Sequence, residues 1–237
     1  MPPEQSYAAA RALHETRVRE GWRPLGRKIG FTNRSIWPRY GVYEPIWGTV
    51  YDRSFIEATD NQAVVVLDGL HQPRIEPEIC FRLRAAPRSA SSADLIESIE
   101  WVAHSVEIVQ CDQPGWKTSL EHSIAFNGLH GRLILGHRLP VGRLPELEDR
   151  LPRLEMILRK GEAIVDRGFG EIVLGSPLAA LGHLVGLLRA QPEAPALAAG
   201  EIVSTGTLTD AHPVAPGEIW STEIRGLPLS GMRLAFS

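Results

Sequence analysis

The sequence is poor in cysteine and in long apolar runs, and each shortage excludes a class of protein. Its 237 residues include only two cysteines, Cys80 and Cys111, without a Cys-x-x-Cys spacing. This argues against a disulfide framework and favours buried free thiols in a reducing cytoplasm. The longest mostly apolar run, at 178–188, contains His183 and is too short to span a bilayer. We therefore expect a cytoplasmic protein without a membrane partner.

A basic surface is also missing. The formal net charge is -3 at pH 7, the sequence pI is about 6.3, and charges of both signs are interspersed along the chain. This pattern argues against nucleic-acid binding. Hydrophobic residues make up 43% of the chain, which is ample for a buried core. We expect a single domain over 1–237 that begins with a helical segment at 1–25.

Lysine is scarce as well, because the chain has three lysines and 22 arginines. Lys28 stands in a short strand-like run between Gly26 and Gly30. Burial or a neighbouring cation can lower the pKa of a lysine until it exchanges protons, which arginine cannot do. Lys28 is therefore either a proton-transfer residue or an ordinary surface lysine.

The stretch that carries the most chemistry is Arg74-Ile75-Glu76-Pro77-Glu78-Ile79-Cys80-Phe81-Arg82-Leu83. In an extended segment side chains alternate, so Glu76 and Glu78 share one face and the large apolar residues share the other. Two carboxylates so close need solvent, a proton or a cation between them. The run predicts a metal site, with a solvated strand face paired to Arg74 and Arg82 as the alternative.

Glu107 is the candidate third ligand. It is the only carboxylate in the mostly apolar run at 105–110, and a charge in such a run needs a partner or a cation.

The remaining patterns indicate a chain of mixed helices and strands. Helices are predicted at 6–20, 35–40, 91–103 and 116–126 and from Ser176 onward, and strands at 26–32, 63–67, 74–83, 105–110, 132–135, 154–159, 162–165, 201–207, 219–225 and 232–236. We expect 63–67 and 74–83 to be neighbours in one sheet. The loop predicted at 166–170 lacks the third glycine of a dinucleotide-binding motif.

Several of these pieces occur in an order that is typical of one family. They are Lys28-Ile29-Gly30, Trp47-Gly48-Thr49, Arg74-Ile75-Glu76-Pro77-Glu78-Ile79, Ile99-Glu100-Trp101-Val102, Val106-Glu107-Ile108-Val109, Leu174-Gly175-x-Pro177, Ser204-Thr205-Gly206 and Pro216-Gly217-Glu218. From about Gly26 to Phe236 the chain resembles the 2-keto-4-pentenoate hydratase and 2-oxohepta-3-ene-1,7-dioate hydratase family of the fumarylacetoacetate hydrolase superfamily.

The resemblance implies a fold, a cofactor and a reaction. The implied fold is α+β, a fumarylacetoacetate-hydrolase-like mixed β-sheet roll with flanking helices, in a homo-oligomer. The implied cofactor is Mg²⁺ or Mn²⁺ held by Glu76, Glu78 and Glu107, oxygen ligands that suit these ions. The implied activity is hydration of a small 2-oxo acid in the catabolism of aromatic compounds.

The resemblance also implies further site residues. Lys28 matches the catalytic lysine of the family and Asp52 an acidic position used for proton transfer in some members. The candidates for substrate binding are Gly30, Phe31, Asn127, Thr205 and Gly206.

The segment around His122 departs from the family pattern. Phe126 and Leu129 stand where the family places polar residues, so we predict that His122 and 126–130 line the far end of the pocket and favour an uncharged, apolar substrate tail. His122 and His130 are either bases and carboxylate-binding groups or structural histidines.

Three other functions remain open from the sequence. A 2-oxo diacid decarboxylase of the 4-oxalocrotonate type would use the same metal, and an acylpyruvate hydrolase would cleave a carbon–carbon bond with His122 as its water-activating base. A catalytically silent metal-binding or ligand-binding protein would keep only the fold.

Overall fold

The computed structural model describes residues 3–191 and 193–237. The helices within these ranges are α1 (Pro3–Arg19), α2 (Trp37–Tyr40), α3 (Ser92–Ser98), α4 (Leu120–Ala125), α5 (Leu147–Arg150) and α6 (Pro177–Ala190). The strands are β1 (Pro24–Gly30), β2 (Ile46–Tyr51), β3 (Phe55–Glu57), β4 (Gln62–Val65), β5 (Arg74–Leu83), β6 (Ile99–Val109), β7 (His130–Pro140), β8 (Glu155–Lys160), β9 (Ala163–Phe169), β10 (Ile202–Ser204), β11 (His212–Pro213), β12 (Ile219–Arg225) and β13 (Arg233–Phe236).

The strands form two mixed sheets. The larger has the order β2-β1-β10-β5-β6-β7-β3, with β11 paired to β5, and the smaller has the order β4-β13-β12-β8-β9. The pairs β1–β10, β3–β7 and β4–β13 are parallel, and the other pairs are antiparallel. With helices beside two curled sheets, the predicted α+β class and the fumarylacetoacetate-hydrolase-like fold are confirmed.

The apolar face of β5 enters the core, as its alternation predicts. Ile79 and Phe81 pack in a cluster that includes Leu181 and Leu184 of α6. Ile75 belongs to a second cluster that joins the two sheets through residues such as Trp220 of β12. The opposite face of β5 is thereby left for its carboxylates.

Several local predictions are confirmed. β5 has the predicted bounds, β12 and β13 pair as an antiparallel hairpin, and Ser176 caps α6 by accepting a hydrogen bond from the backbone N–H of Ala179. Ser and Pro at these positions favour a helix start because the serine oxygen satisfies a free N–H and proline needs none.

Three predictions of local structure are wrong. The helix expected at 91–103 ends at Ser98, because residues from Ile99 onward pair with β5 and tertiary pairing outweighs their helical spacing. β4 pairs with β13 in the smaller sheet and is not a neighbour of β5. The loop expected at 166–170 is for the most part strand, because β9 continues to Phe169 against β8.

One segment, Gly170–Ala190, is long and apolar enough to pass as a membrane-spanning helix by length and composition, with a mean hydropathy of 1.6. Half of the residues in its window are buried inside the fold, and its α-helical part is the 14 residues of α6. Leu181 and Leu184 have no exposed surface. This burial fits a core helix, and length and composition are weak evidence for a membrane span.

Candidate metal centre

Adjacent strands of the larger sheet bring three carboxylates together. Glu76 of β5 lies directly opposite Glu107 of β6, and Glu78 lies opposite Ser105. One ligand oxygen from each glutamate lies within 4.8 Å of those of the other two. Glu78 and Glu107 have no exposed surface, and Glu76 is partly exposed. Like charges directly opposite one another destabilise a sheet, so the cluster needs a compensating charge.

The electrostatics of the cluster fit a divalent cation. Burial, followed by repulsion from Glu107, raises the pKa of Glu78 well above its usual range. Burial also raises the pKa of Glu76 to about 7, against the opposing effect of Lys28. Glu78 Oε1 and Glu107 Oε2 are buried without a hydrogen-bond partner among the described residues. Buried carboxylate oxygens without donors are suitable ligands for a hard cation such as Mg²⁺ or Mn²⁺.

Lys28 supplies one positive charge beside the cluster. Its Nζ lies 3.1 Å from Glu107 Oε2, an ion-pair contact without good hydrogen-bond geometry, and donates a hydrogen bond of 2.9 Å to the carbonyl oxygen of Gly128. Burial alone would lower the pKa of Lys28, but the attraction of Glu107, Glu76 and Glu78 outweighs it and raises the pKa. Without a metal, this lysine therefore holds its proton. The lowered pKa that would let it exchange protons requires the carboxylates to be neutralised.

Hydrogen bonds to neighbouring groups orient Glu78. Ser204 Oγ donates to Glu78 Oε2 at 2.5 Å, and the backbone N–H of Gly206 donates to the same oxygen at 2.9 Å. Gly206 has a φ of +98°, and a Cβ at this position would come within 2.0 Å of Thr32 Oγ1. The Ser204-Thr205-Gly206 motif therefore needs its serine as a donor and its glycine for the turn.

His130 orients Glu107 in the same way. His130 Nδ1 donates to Glu107 Oε1 at 2.8 Å, and Ser54 Oγ lies 2.8 Å from His130 Nε2. Burial lowers the pKa of His130, although Glu107 opposes that shift. The structure therefore gives His130 a positioning contact with a candidate metal ligand. Metal ligands held by such hydrogen bonds bind more tightly than free ones.

A cavity of about 670 Å³, including the space open to solvent, extends from Lys28 and Glu76. Of the candidates for substrate binding, Gly30, Phe31 and Gly206 line it. Asn127 and Thr205 do not. Asn127 exchanges two hydrogen bonds with the backbone of Thr49, and Thr205 Oγ1 donates to the carbonyl oxygen of Ile79. These contacts position backbone around the cavity, and substrate binding by the five residues stays a prediction.

Two candidate catalytic residues lie outside the lining of this cavity. Asp52 accepts hydrogen bonds from the backbone and the guanidinium of Arg23, which hold its pKa below the usual range. His122 Nε2 lies 2.7 Å from Asp112 Oδ1, and its ring stacks on Phe126. Of the segment predicted to line the far end of the pocket, Gly128 and Leu129 line this cavity, whereas His122 and Phe126 do not. The catalytic roles of Asp52 and His122 remain predictions without a supporting contact.

Three bulky residues with a left-handed backbone conformation line the same cavity. Phe31, Trp116 and Leu129 have φ values of 54°, 59° and 62° and all line it. Bulky residues rarely adopt this left-handed conformation, and when they do the strain is often located at a functional site. Trp116 was missed in the sequence because neither a strained loop nor its partner is visible in composition or spacing.

Comparison with known proteins agrees with this geometry. No family model matches the chain. It is 32% identical over 228 residues to 2-keto-4-pentenoate hydratase 1 of Dechloromonas aromatica (strain RCB), covering 94% of this chain and 82% of that protein. The chain belongs to the 2-keto-4-pentenoate hydratase family. It is also 31% identical over 232 residues to a 4-oxalocrotonate decarboxylase of Pseudomonas putida, covering 95% and 84%.

A solved structure of the same superfamily superposes over the whole chain. The 4-oxalocrotonate decarboxylase from Pseudomonas putida G7, complexed with magnesium and adipate, matches with a TM-score of 0.90 and 27% identity, covering 100% of this chain and 87% of that one. The resemblance stated from the motifs is therefore confirmed at the level of family and fold.

Proposed function

We propose that this protein is a divalent-metal-dependent lyase that hydrates a small 2-oxo acid, or its 2-hydroxydienoic tautomer, in the breakdown of aromatic compounds. The observation that carries the proposal is the cluster of Glu76, Glu78 and Glu107 with Lys28 beside it, next to a cavity that Lys28 and Glu76 line. Curated relatives that match nearly the whole chain are hydratases of such acids.

Each residue of the cluster has a defined task in this proposal. Glu76, Glu78 and Glu107 hold the cation, for which Mg²⁺ or Mn²⁺ are the candidates. When bound, the cation supplies Lewis-acid stabilisation of the negative charge that develops on the 2-oxo oxygen of the substrate. Lys28 Nζ, fixed by Gly128 and Glu107, holds the proton that is transferred at a substrate carbon. Ser204 and His130 keep the carboxylates in place.

A 2-oxo diacid decarboxylase is the second candidate. It is favoured by the TM-score of 0.90 to a 4-oxalocrotonate decarboxylase that was solved with adipate, a six-carbon diacid. The acylpyruvate hydrolase is supported less, because His122, its proposed base, pairs with Asp112 outside the cavity lining. A reducing cytoplasm and a homo-oligomer belong to the proposal, and the buried free thiols of Cys80 and Cys111 agree with that compartment.

Three substrates separate these functions. The purified protein with Mg²⁺ or Mn²⁺ is incubated with 2-hydroxypenta-2,4-dienoate, 4-oxalocrotonate or an acylpyruvate, and product formation is followed by absorbance and mass spectrometry. Addition of water to the dienoate supports the hydratase, carbon dioxide from oxalocrotonate supports the decarboxylase, and a second organic acid supports the hydrolase. Absence of all three products with either metal would contradict the proposed enzymatic function and favour a metal-binding protein without catalytic activity.

A further inference from the structure

Arg74 lines the cavity and has a hydrogen-bond donor without a partner. It is the first residue of β5 and lines the same cavity as Lys28 and Glu76. Its Nε is buried without a hydrogen-bond partner, and its guanidinium forms no ion pair with any carboxylate of residues 3–191 and 193–237. The sequence alternative, in which Arg74 neutralises Glu76 or Glu78 by direct pairing, is therefore not realised. A buried donor without an acceptor is costly, which indicates that a ligand supplies the acceptor.

The guanidinium of Arg74 packs on the ring of Trp116, which lies in the loop after β6. Arg74 Cζ lies over the ring of Trp116, 4.2 Å from its centroid, a cation–π contact that restrains the guanidinium. Trp116 Nε1 donates to the carbonyl oxygen of Gln72, and Gln72 Nε2 donates to the carbonyl oxygens of Cys111 and Gln113.

Two of the residues that hold this contact in place have strained backbone conformations. Gln72 and Trp116 both adopt positive φ, at 47° and 59°, and the amide N–H of Gly115 donates to Gln72 Oε1. Strained residues that are tied down by several hydrogen bonds are typical of binding sites. A surface arginine in a random orientation would need no such support.

Arg74 lies close to two of the candidate metal ligands along β5. Arg74, Glu76 and Glu78 share one face of β5, and successive residues on one face are about 7 Å apart. Val109 lies directly opposite Arg74 in the ladder. The cavity wall is otherwise largely apolar, with Ile36, Ile46 and Leu129. Glu76 of the candidate metal centre, several apolar side chains and Arg74 therefore line the same cavity.

We propose that Arg74, stacked on Trp116, binds the distal carboxylate of a 2-oxo dicarboxylic acid. Guanidinium and carboxylate form paired, charge-assisted hydrogen bonds. This inference rests on the proposed function, and it departs from the sequence expectation of an uncharged tail. That expectation rested on Phe126 and Leu129, of which Leu129 lines the cavity and Phe126 does not.

The test compares two unreactive acids that differ only at the tail. Binding of 2-oxoadipate and of 2-oxohexanoate to the protein with saturating Mg²⁺ is measured by calorimetry for the wild type, Arg74→Gln and Trp116→Leu. We expect the wild type to bind 2-oxoadipate roughly 10- to 100-fold more tightly. Arg74→Gln removes this preference, and Trp116→Leu reduces it because the charge remains and its orientation is lost.

Arg82→Gln is the matched control. Arg82 lies on the same face of β5 but pairs with Glu100 at 3.0 Å and does not line this cavity. The Arg82→Gln variant should therefore keep the preference of the wild type for 2-oxoadipate. Circular dichroism and the Tm establish that each variant is folded.

The outcomes separate this inference from the proposed function. If both acids bind with Mg²⁺ and the wild type has no preference, only this inference is overturned. It is also overturned if Arg74→Gln weakens the binding of both acids equally, because Arg74 would then bind the 2-oxo acid end that they share. If neither acid binds in the presence of Mg²⁺, the proposed function fails and the inference fails with it.

Discussion

The two sheets of this protein use charged residues in opposite ways. In the larger sheet, Lys28, Glu78 and Glu107 are almost fully buried, with exposed fractions of 3%, 0% and 0%. In the smaller sheet, charges form solvent-exposed pairs such as Arg167 with Glu155, joined at 2.6 Å. Both sheets have polar residues on alternating positions, but only the larger sheet has more buried carboxylates than cations at one place.

The difference shows that the larger sheet includes charged groups whose burial destabilises the fold unless a ligand compensates them. A buried carboxylate without a partner is strongly unfavourable, and hydrophobic residues at the same positions would make a simpler core. An exposed pair contributes little and is easily replaced. The imbalance at Glu78 and Glu107 therefore has a physical explanation if a cation binds there, whereas the pairs of the smaller sheet need none.

The largest expected effect comes from Glu78→Gln. This change keeps the shape of the side chain and removes a carboxylate that can ionise to bind a cation, so we expect binding of Mg²⁺ or Mn²⁺ to be lost in a calorimetric titration. Because burial makes the charged form of Glu78 unfavourable in the folded protein and raises its pKa, the metal-free variant should have a higher Tm than the metal-free wild type. Glu223→Gln, in an exposed pair of the smaller sheet, is the control. Unchanged metal binding in Glu78→Gln would refute the assignment.

Lys28→Arg addresses the cation of the same cluster. The variant keeps the positive charge beside Glu107 but removes an amine that can exchange protons, so kcat should fall by roughly 10²- to 10⁴-fold on a substrate of the wild type. Lys160→Arg, at an exposed lysine of β8 that pairs with Glu218, should keep full activity. Full turnover in Lys28→Arg would reduce Lys28 to an electrostatic anchor.

The buried cluster should also make stability depend on pH and metal together. The pKa of Glu76 rises from 4.5 to about 7 on folding, so the metal-free folded state binds extra protons between these values and loses stability as pH increases through that window. A cation replaces the protons. The increase in Tm caused by Mg²⁺ over EDTA should therefore be larger at about pH 8 than at about pH 6. An equal increase at both pH values would contradict the linkage.

The metal cluster could be predicted from the sequence because its information is local. Alternation along β5 puts Glu76 and Glu78 on one face, and a lone carboxylate in the apolar run of β6 indicates Glu107. The role of Arg74 could not be predicted, since its partner Trp116 lies 42 residues along the chain in a loop with unusual φ. Long-range contacts of this kind leave no periodic signal.

Long-range contacts also explain the errors in the fold that we predicted from the sequence. The run at 99–103 has apolar residues at helical spacing, and only its pairing with β5 makes it a strand. β4 is close to β5 in sequence but pairs with the C-terminal β13. Sheet partners are chosen by contacts across the whole chain, so a rule based on neighbouring strands fails where the chain crosses from one sheet to the other.

The smallest expected effect is in the smaller sheet, and it tests the other side of the comparison. Arg167→Gln breaks the pair with Glu155, but water solvates both partners and Glu155 also lies 3.4 Å from Arg225. The free energy of unfolding, measured by urea denaturation, should change by less than about 0.5 kcal/mol, and metal binding should be unchanged. A loss of several kcal/mol, or a change in metal affinity, would mean that the charges of the smaller sheet are coupled to the buried cluster and that the two sheets do not differ as described.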